Sequence, residues 1–353
     1  MIQRISMAAA MALCFAGAAA AQDDIPVVVN PVPKYAVLPG QPPVESLDAP
    51  TQVRNWAGSF TYAGHPYPFR MVGTNPATGP STTVRAILIP LKIVVQHGGH
   101  GVAFSAGHLL SNGRTVTQNT VVSPIFDKTT TYTLGAIDVG TTQYLDAYQR
   151  ANFWGSVKTN TGYHVLLGGP TVEPIQTLNV PVADGSEGNA FGVNVALVDI
   201  NWFDSAIQPL LTKYSTANQI PIFLTYDTYL TSGGCCIGGY HNFNGVQTYM
   251  HATYIDKVGV FSQNVSALSH EVGEWMDDPF INNNVACGIL ENGDPEEGFA
   301  NYGAFPYTVN GFQYDLQDLV FLDYFGAPAA GRVNGWMTFH DNPFGLGVCS
   351  NGG

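Results

Sequence analysis

Basic residues are scarce in this chain, and charged residues of either sign are few. The 353 residues include 13 Lys and Arg against 26 Asp and Glu, and only 11% of positions are charged. A nucleic-acid partner requires clustered Lys and Arg that neutralise phosphates, and an anionic lipid surface requires the same sign of charge. We therefore expect no nucleic-acid partner and no membrane association of the mature form. Disorder is also disfavoured, because 45% of the residues are apolar.

Long apolar runs are missing beyond the N-terminus, where a membrane span would need ~18 consecutive residues. At the N-terminus, Arg4 precedes an almost wholly apolar segment, and three alanines at 19–21 stand before Gln22. This order of a positive charge, an apolar segment and small residues is typical of a cleaved export signal. We interpret residues 1–21 as a signal peptide, with a membrane anchor as the alternative, and expect a secreted or periplasmic protein.

Cysteines are few as well. Four follow the signal, namely Cys235, Cys236, Cys287 and Cys349. An even number in an oxidising compartment favours two disulfides. A bond between neighbouring cysteines would distort the peptide that joins them. We therefore expect Cys235 and Cys236 to form long-range bridges with Cys287 and Cys349.

Residues 22–50 contain seven prolines and no helical periodicity, which predicts an extended arm or linker. Residues 51–353 lack an internal repeat, and we expect one mixed α/β (α+β) domain that is monomeric. Apolar alternation predicts strands at 82–95, 220–226 and 247–255. Helices are predicted at 144–154 and in the second half of 196–214.

The acidic residues are concentrated in one window. Between Lys257 and Arg332 lie 74 residues without Lys or Arg, and these hold 11 of the 26 acidic residues. Within this window a helix is predicted that begins between 262 and 266, where Ser and Asn are suitable N-caps, and stops at Pro279. Its apolar stripe is formed by Val265, Leu268, Val272 and Trp275.

His270 and Glu274 are four residues apart, so both project from one face of this helix, nearly opposite the stripe. That spacing suits two metal ligands, and Glu271 beside them is placed to act as a base. A third ligand has to come from elsewhere, and either Glu291 or Asp294 can supply it. Gly273 weakens a helix, so we expect another backbone to approach there.

Two alternatives explain the same residues without catalysis. The first is an amphipathic surface helix whose polar face is solvated. The second is a structural calcium loop, because calcium prefers several oxygen ligands. Its candidate ligands are Asp277, Asp278, Asn284, Glu291, Asp294 and Glu296.

The segment from Ser269 to Glu274 resembles the zincin metallopeptidases. More narrowly, it is similar to exported bacterial proteins that carry His-Glu-x-x-Glu, then Asp-Pro, then Glu-x-x-Asp; the last element is Glu291 to Asp294 here. The resemblance covers about 30 residues and implies a zincin-like fold with an active-site helix. It also implies Zn²⁺ bound by His270 and Glu274. Glu274 departs from the His of the large peptidase families, and its charge also admits Mn²⁺ or Ca²⁺.

The resulting hypothesis is an exported metal-dependent hydrolase, a zinc endopeptidase that acts on a peptide or protein substrate. Glu271 would accept a proton from the attacking water and return it to the leaving amine. Candidate donors to the oxyanion, by residue type alone, are His340, Tyr302 and Tyr307. His241 could reach the metal, but a loop histidine with local hydrogen bonds is favoured. The alternative function is a non-enzymatic exported binding or surface protein, with a structural calcium site or an inactive zincin site.

Overall fold

A computed structural model describes residues 27–28, 31–34, 36, 53–214, 218–286, 288–327 and 336–341. The predicted signal at 1–21, most of the arm, Cys287 and Cys349 lie outside the described residues. In the part that is described, no helix has the length and apolar character required to cross a membrane.

The chain alternates many strands with a few helices. The helices are α1 (Val116–Val121), α2 (Tyr144–Asn152), α3 (Trp154–Val157), α4 (Ile200–Tyr214) and α5 (Ser266–Asp277). The strands are β1 (Val27–Val28), β2 (Asn55–Tyr62), β3 (His65–Val72), β4 (Thr82–His97), β5 (His100–Ser105), β6 (Thr130–Leu134), β7 (Ile137–Thr142), β8 (Val165–Val172), β9 (Gln176–Asn179), β10 (Gly185–Ala190), β11 (Val193–Asp199), β12 (Gln219–Tyr226), β13 (Thr228–Thr231), β14 (Gly239–Phe243), β15 (Thr248–Tyr254), β16 (Asn284–Val285), β17 (Gly288–Ile289), β18 (Ala304–Val309) and β19 (Phe312–Gln317). Short 3₁₀ turns follow at Asp294–Glu296 and Leu322–Phe325.

The main sheet is mixed and has seven strands, with the path β14-β15-β12-β4-β5 and with β8 and β9 also paired to β4. β4 pairs in parallel with β12, which pairs in parallel with β15. β14 is antiparallel to β15 and ends this path. A smaller sheet has the order β1-β10-β11-β13. The predicted mixed α+β class is therefore confirmed.

Both faces of the main sheet are covered, which explains the long apolar run of β4. Val84, Ala86 and Leu88 belong to the core that includes α2 and α5. Ile87, Ile89 and the apolar residues that alternate after them pack with α4 on the other face. Because side chains alternate along a strand, a strand buried on both sides needs apolar residues at successive positions.

The predicted elements agree with the observed ones to within a few residues. The helix predicted at 144–154 is α2, and the strand and helix predicted within 196–214 are β11 and α4. The predicted strands at 82–95, 220–226 and 247–255 correspond to β4, β12 and β15. The predicted metal-binding helix is α5, which ends two residues before Pro279. Its N-cap is Val265, whose side chain makes no capping hydrogen bond, so the expected Ser or Asn cap is wrong.

The expected long-range disulfides of Cys235 and Cys236 are wrong, because these two residues are bonded to each other. The peptide bond between them is cis, and their Cα atoms lie 3.1 Å apart. The expectation of long-range bridges rested on the distortion that a bond between neighbouring cysteines would impose on the peptide that joins them. In the cis form the two Cα atoms stand closer than the ~3.8 Å of a trans peptide.

The described part of the arm is extended and docked rather than a detached linker. Cys236 N donates to Val32 O at 2.7 Å, and Gly238 N donates to Lys34 O at 2.9 Å. In the other direction, Val32 N donates to Cys235 O at 2.9 Å, and Ala36 N donates to Gly239 O at 3.2 Å. The arm therefore pairs with the segment that leads into β14.

Candidate metal centre

Helix α5 is buried along its whole length, since all twelve of its residues are buried. Val272 and Trp275 pack in the core, and Trp275 Nε1 donates to Thr248 Oγ1 on β15 at 3.1 Å. The alternative of an amphipathic surface helix with a solvated polar face is therefore wrong. Its polar residues His270, Glu271 and Glu274 face other parts of the protein, where each charge must be matched by a partner or a ligand.

His270 and Glu274 approach each other as their spacing predicts. His270 Nε2 lies 3.0 Å from Glu274 Oε2. The loop at 291–294 covers this face of α5. Gly293 N and Asp294 N donate to Glu274 Oε1 at 3.0 and 3.3 Å, which orients the carboxylate and leaves Oε2 toward His270.

Asp294 meets the helix at the same point. Asp294 Oδ1 lies 3.5 Å from His270 Nε2, and the ligand atoms of His270, Glu274 and Asp294 all fall within 4.8 Å of one another. The side chain of Asp294 is 40% exposed, whereas the other two are buried. This edge of the cluster is therefore the one that solvent reaches.

Glu291, the other candidate for the third ligand, lies next to the set rather than in it. Its side chain is 7% exposed, and the carboxylates of Glu274 and Asp294 are its charged neighbours. Its carboxyl makes a side-chain hydrogen bond with the carboxyl of Glu274. The arrangement brings Asp294 into ligand distance and leaves Glu291 as a further buried carboxylate beside Glu274.

His241 joins the cluster from β14, although the sequence favoured a loop histidine. Its Nδ1 lies 3.4 Å from Glu271 Oε2 and 3.8 Å from Glu274 Oε2. Its Nε2 lies 3.2 Å from the backbone oxygen of Asp278. The alternation of Gly239, His241 and Phe243 along a strand was the signal that could have identified it, since these three residues share one face.

Two glycines allow the backbone to approach the cluster. A Cβ at Gly239 would lie 2.6 Å from Glu271 Oε1, and a Cβ at Gly293 would overlap the His270 ring. The expectation that another backbone approaches Gly273 is wrong. The side chains of Leu319 and Leu145 pack against it instead, so Gly273 serves the apolar core.

The electrostatics reflect several carboxylates held in a buried space. Burial, partly offset by His270, raises the pKa of Glu271 well above its usual range. Burial and the Glu274 carboxylate likewise raise the pKa of Glu291, and partial burial together with Glu274 raises the pKa of Asp294. Burial works against protonation of His270, but Glu274 and Asp294 outweigh it and raise the pKa of this imidazole well above its usual range.

The pKa values of Glu274 and His241 are lowered instead. Burial favours the neutral form of Glu274, but the His270 ring lowers the pKa of this carboxyl. Burial lowers the pKa of His241. A neutral imidazole and an ionised carboxylate are the forms in which these residues bind a metal.

The acids that end α5 have other partners. Asp277 accepts hydrogen bonds from Tyr148 Oη at 3.1 Å and Asn292 Nδ2 at 2.6 Å. Asp278 accepts from the backbone of Asn282 and Asn283, both at 3.0 Å. Of the six residues of the alternative calcium loop, Asp294 alone belongs to a potential metal-binding set in the described part of the chain.

The candidate oxyanion donors are engaged elsewhere. Tyr307 Oη lies 2.8 Å from His340 Nε2, and His340 Nδ1 lies 3.1 Å from Asp318 Oδ1. Tyr302 packs with its ring against Phe261. None of these three candidates belongs to either potential metal-binding set among the described residues.

The donor set suits a divalent cation, because imidazole nitrogen and carboxylate oxygen are both accepted by zinc and manganese. The buried oxygen Glu271 Oε1 has no hydrogen-bond partner in the described part of the chain, as expected for a site built around a ligand. No known protein family, curated protein or solved structure matches this chain.

Proposed function

We propose that this protein is an exported metal-dependent hydrolase, a zinc endopeptidase that uses metal-activated water on peptide or protein substrates. The observation that carries the proposal is the convergence of His270, Glu274 and Asp294 beside the Glu271 carboxylate. Three protein ligands with an approach from solvent are the usual composition of a catalytic zinc site. The partly exposed Asp294 marks that approach.

The roles follow from the positions of the side chains. His270 Nε2, Glu274 Oε2 and an oxygen of Asp294 would hold the cation, and the two backbone N–H groups on Glu274 Oε1 keep its carboxylate in place. When bound, the cation supplies acidification of water and polarisation of the substrate carbonyl. Glu271 takes the proton from the attacking water and passes it to the departing amine, a task suited to a carboxyl whose pKa is raised by burial.

The alternative is a non-enzymatic binding protein with a structural calcium site or an inactive site. The two hypotheses differ in turnover and in metal preference. Elemental analysis of gently purified protein, before and after Zn²⁺, Mn²⁺ and Ca²⁺ are offered separately, measures the metal preference. Absence of bound metal under all these conditions would refute the proposal.

The decisive variant is Glu271→Gln, with Glu173→Gln, in the segment between β8 and β9, as the matched control. Loss of a general base lowers turnover by roughly 10²–10⁴-fold. We expect that loss for cleavage of labelled casein by Glu271→Gln, with folding retained, and unchanged cleavage by the control. Absence of cleavage by the zinc-loaded wild-type protein, together with a melting temperature that responds to calcium, would favour the binding protein instead.

A further inference from the structure

The cluster contains two sets of potential ligands rather than one. The first consists of His270, Glu274 and Asp294, and the second consists of His241, Glu271 and Glu274. Within each set the ligand atoms lie within 4.8 Å of one another. Glu274 is the member that the two sets share, and its Oε2 faces His270 Nε2 at 3.0 Å and His241 Nδ1 at 3.8 Å.

The second set is oriented for a cation by its own hydrogen bonds. The backbone oxygen of Asp278 can only accept, so the contact of 3.2 Å with His241 Nε2 places the proton on that nitrogen. In the neutral ring, Nδ1 then carries a lone pair that points toward Glu271 Oε2, 3.4 Å away. A histidine fixed in this way, with one nitrogen bonded to a carbonyl, is the usual form of a metal-ligating imidazole.

A buried oxygen without a partner points to the same conclusion. Glu271 is 1% exposed, and its Oε1 lacks a hydrogen-bond partner among the described residues. Glu291 is 7% exposed, and its carboxyl makes a side-chain hydrogen bond with the carboxyl of Glu274. A buried polar group normally has a partner, and Glu271 Oε1 adjoins the two sets described above.

The composition of the cluster also favours more than one cation. Glu271, Glu274, Glu291 and Asp294 are four carboxyls around two imidazoles, and residues 258–331 contain no Lys or Arg. Lys34, on the docked arm, is a basic side chain that acts on Asp294. A carboxyl that binds a cation is ionised, so two divalent cations match four ionised carboxylates where one matches two.

We propose that the cluster binds two divalent transition-metal ions, one between His270 and Asp294 and the other between His241 and Glu271, with Glu274 as the bridging carboxylate. Glu291 adds a further carboxylate beside the bridge. The inference rests on the metal position of the proposed function and adds a second position to it. Glu271 then binds through Oε2, which leaves Oε1 as the oxygen that receives a proton.

Metal stoichiometry tests this proposal in the full chain. After removal of metal by a chelator, titration with Zn²⁺, followed by calorimetry and elemental analysis, should give two equivalents for the wild-type protein. His241→Ala and Asp294→Asn should each bind one equivalent. His97→Ala, which alters a partly buried histidine–carboxylate pair between β4 and β10, is the matched control and should bind two.

A spectroscopic measurement on the wild-type protein makes the test independent of the folding of any variant. With Mn²⁺, the paramagnetic resonance spectrum should change from isolated ions to an exchange-coupled pair as the second equivalent binds, since two-metal sites hold their ions roughly 3.5–4 Å apart. One equivalent in the wild-type protein, unaffected by His241→Ala, would overturn the second position and leave the proposed hydrolase standing. Binding of no metal would overturn both.

Discussion

The backbone approaches the cluster closely at Gly239, so substitution by alanine there should damage the site and the fold together. The new Cβ would lie 2.6 Å from Glu271 Oε1 and 2.9 Å from the backbone oxygen of His251, where ordinary contact begins at 3.4 Å. Glu271 would have to move farther than the His251 oxygen, because its distance to the new Cβ is the shorter of the two. The oxygen of His251 belongs to β15 in the middle of the paired strands and has little freedom to move.

The expected cost of Gly239→Ala follows from this overlap. Overpacking of a close-packed interior costs roughly 1–3 kcal/mol. For a chain of 353 residues, 1 kcal/mol lowers the melting temperature by about 1–2 °C, because the unfolding entropy grows with length. Gly239→Ala should therefore melt roughly 1–6 °C below the wild-type protein. It should also bind metal more weakly, because Glu271 is displaced.

The matched control is Gly234→Ala, five residues earlier, where an added Cβ would meet no atom within 4 Å. Thermal unfolding by circular dichroism, with and without chelator, measures stability, and zinc titration measures affinity. If Gly239→Ala and Gly234→Ala have the same melting temperature and the same zinc affinity, the packing of β14 against α5 is not as described here.

Three further results are expected. Gly273→Ala should lower the free energy of unfolding by roughly 1–3 kcal/mol through overlap with Leu319, measured by urea titration, and a stability equal to that of the wild-type protein would contradict this packing. Burial raises the pKa of Asp227 to about 6, so its contribution to stability is full below the unfolded value of 3.8 and is lost as pH rises through 6. Asp227→Asn should therefore be more stable than the wild-type protein by up to roughly 3 kcal/mol at pH 7, and equally stable near pH 3. A difference in stability that does not change with pH would refute this. Zinc at about 100 times its dissociation constant should stabilise the protein by about 2.7 kcal/mol over the chelated form, whereas an unchanged unfolding midpoint would argue against a site specific to the native fold.

Local sequence predicted the parts of the site that one helix carries. The 3-4-3 spacing from Val265 to Trp275, with Pro279 beyond it, is enough to place His270 and Glu274 on one face. Asp294 was among the candidates because it follows shortly after α5 and carries an oxygen ligand. These inferences need only helical geometry and the chemistry of the donors.

The features of the site and the fold that were not predicted depend on contacts between distant segments, which local patterns do not encode. His241 reaches Glu271 because β14 pairs with β15 under α5. The alternation of Gly239, His241 and Phe243 indicates a shared face, but it does not say which strand β14 pairs with or which helix covers it. The burial of the polar face of α5 was missed for a similar reason, since it depends on the loop that contributes Gly293. The bond between Cys235 and Cys236 depends on a backbone conformation that composition and spacing do not specify.

The docked arm has a practical consequence for where this chain can be shortened. A protein that begins at residue 51, the start of the domain indicated by the proline-rich composition, would lose the four backbone hydrogen bonds between 32–36 and 235–239. The freed edge would then present unpaired N–H and C=O groups beside β14, which favours association with another chain. Expression of the whole segment from residue 22 onward should therefore yield protein that aggregates less than the shorter form.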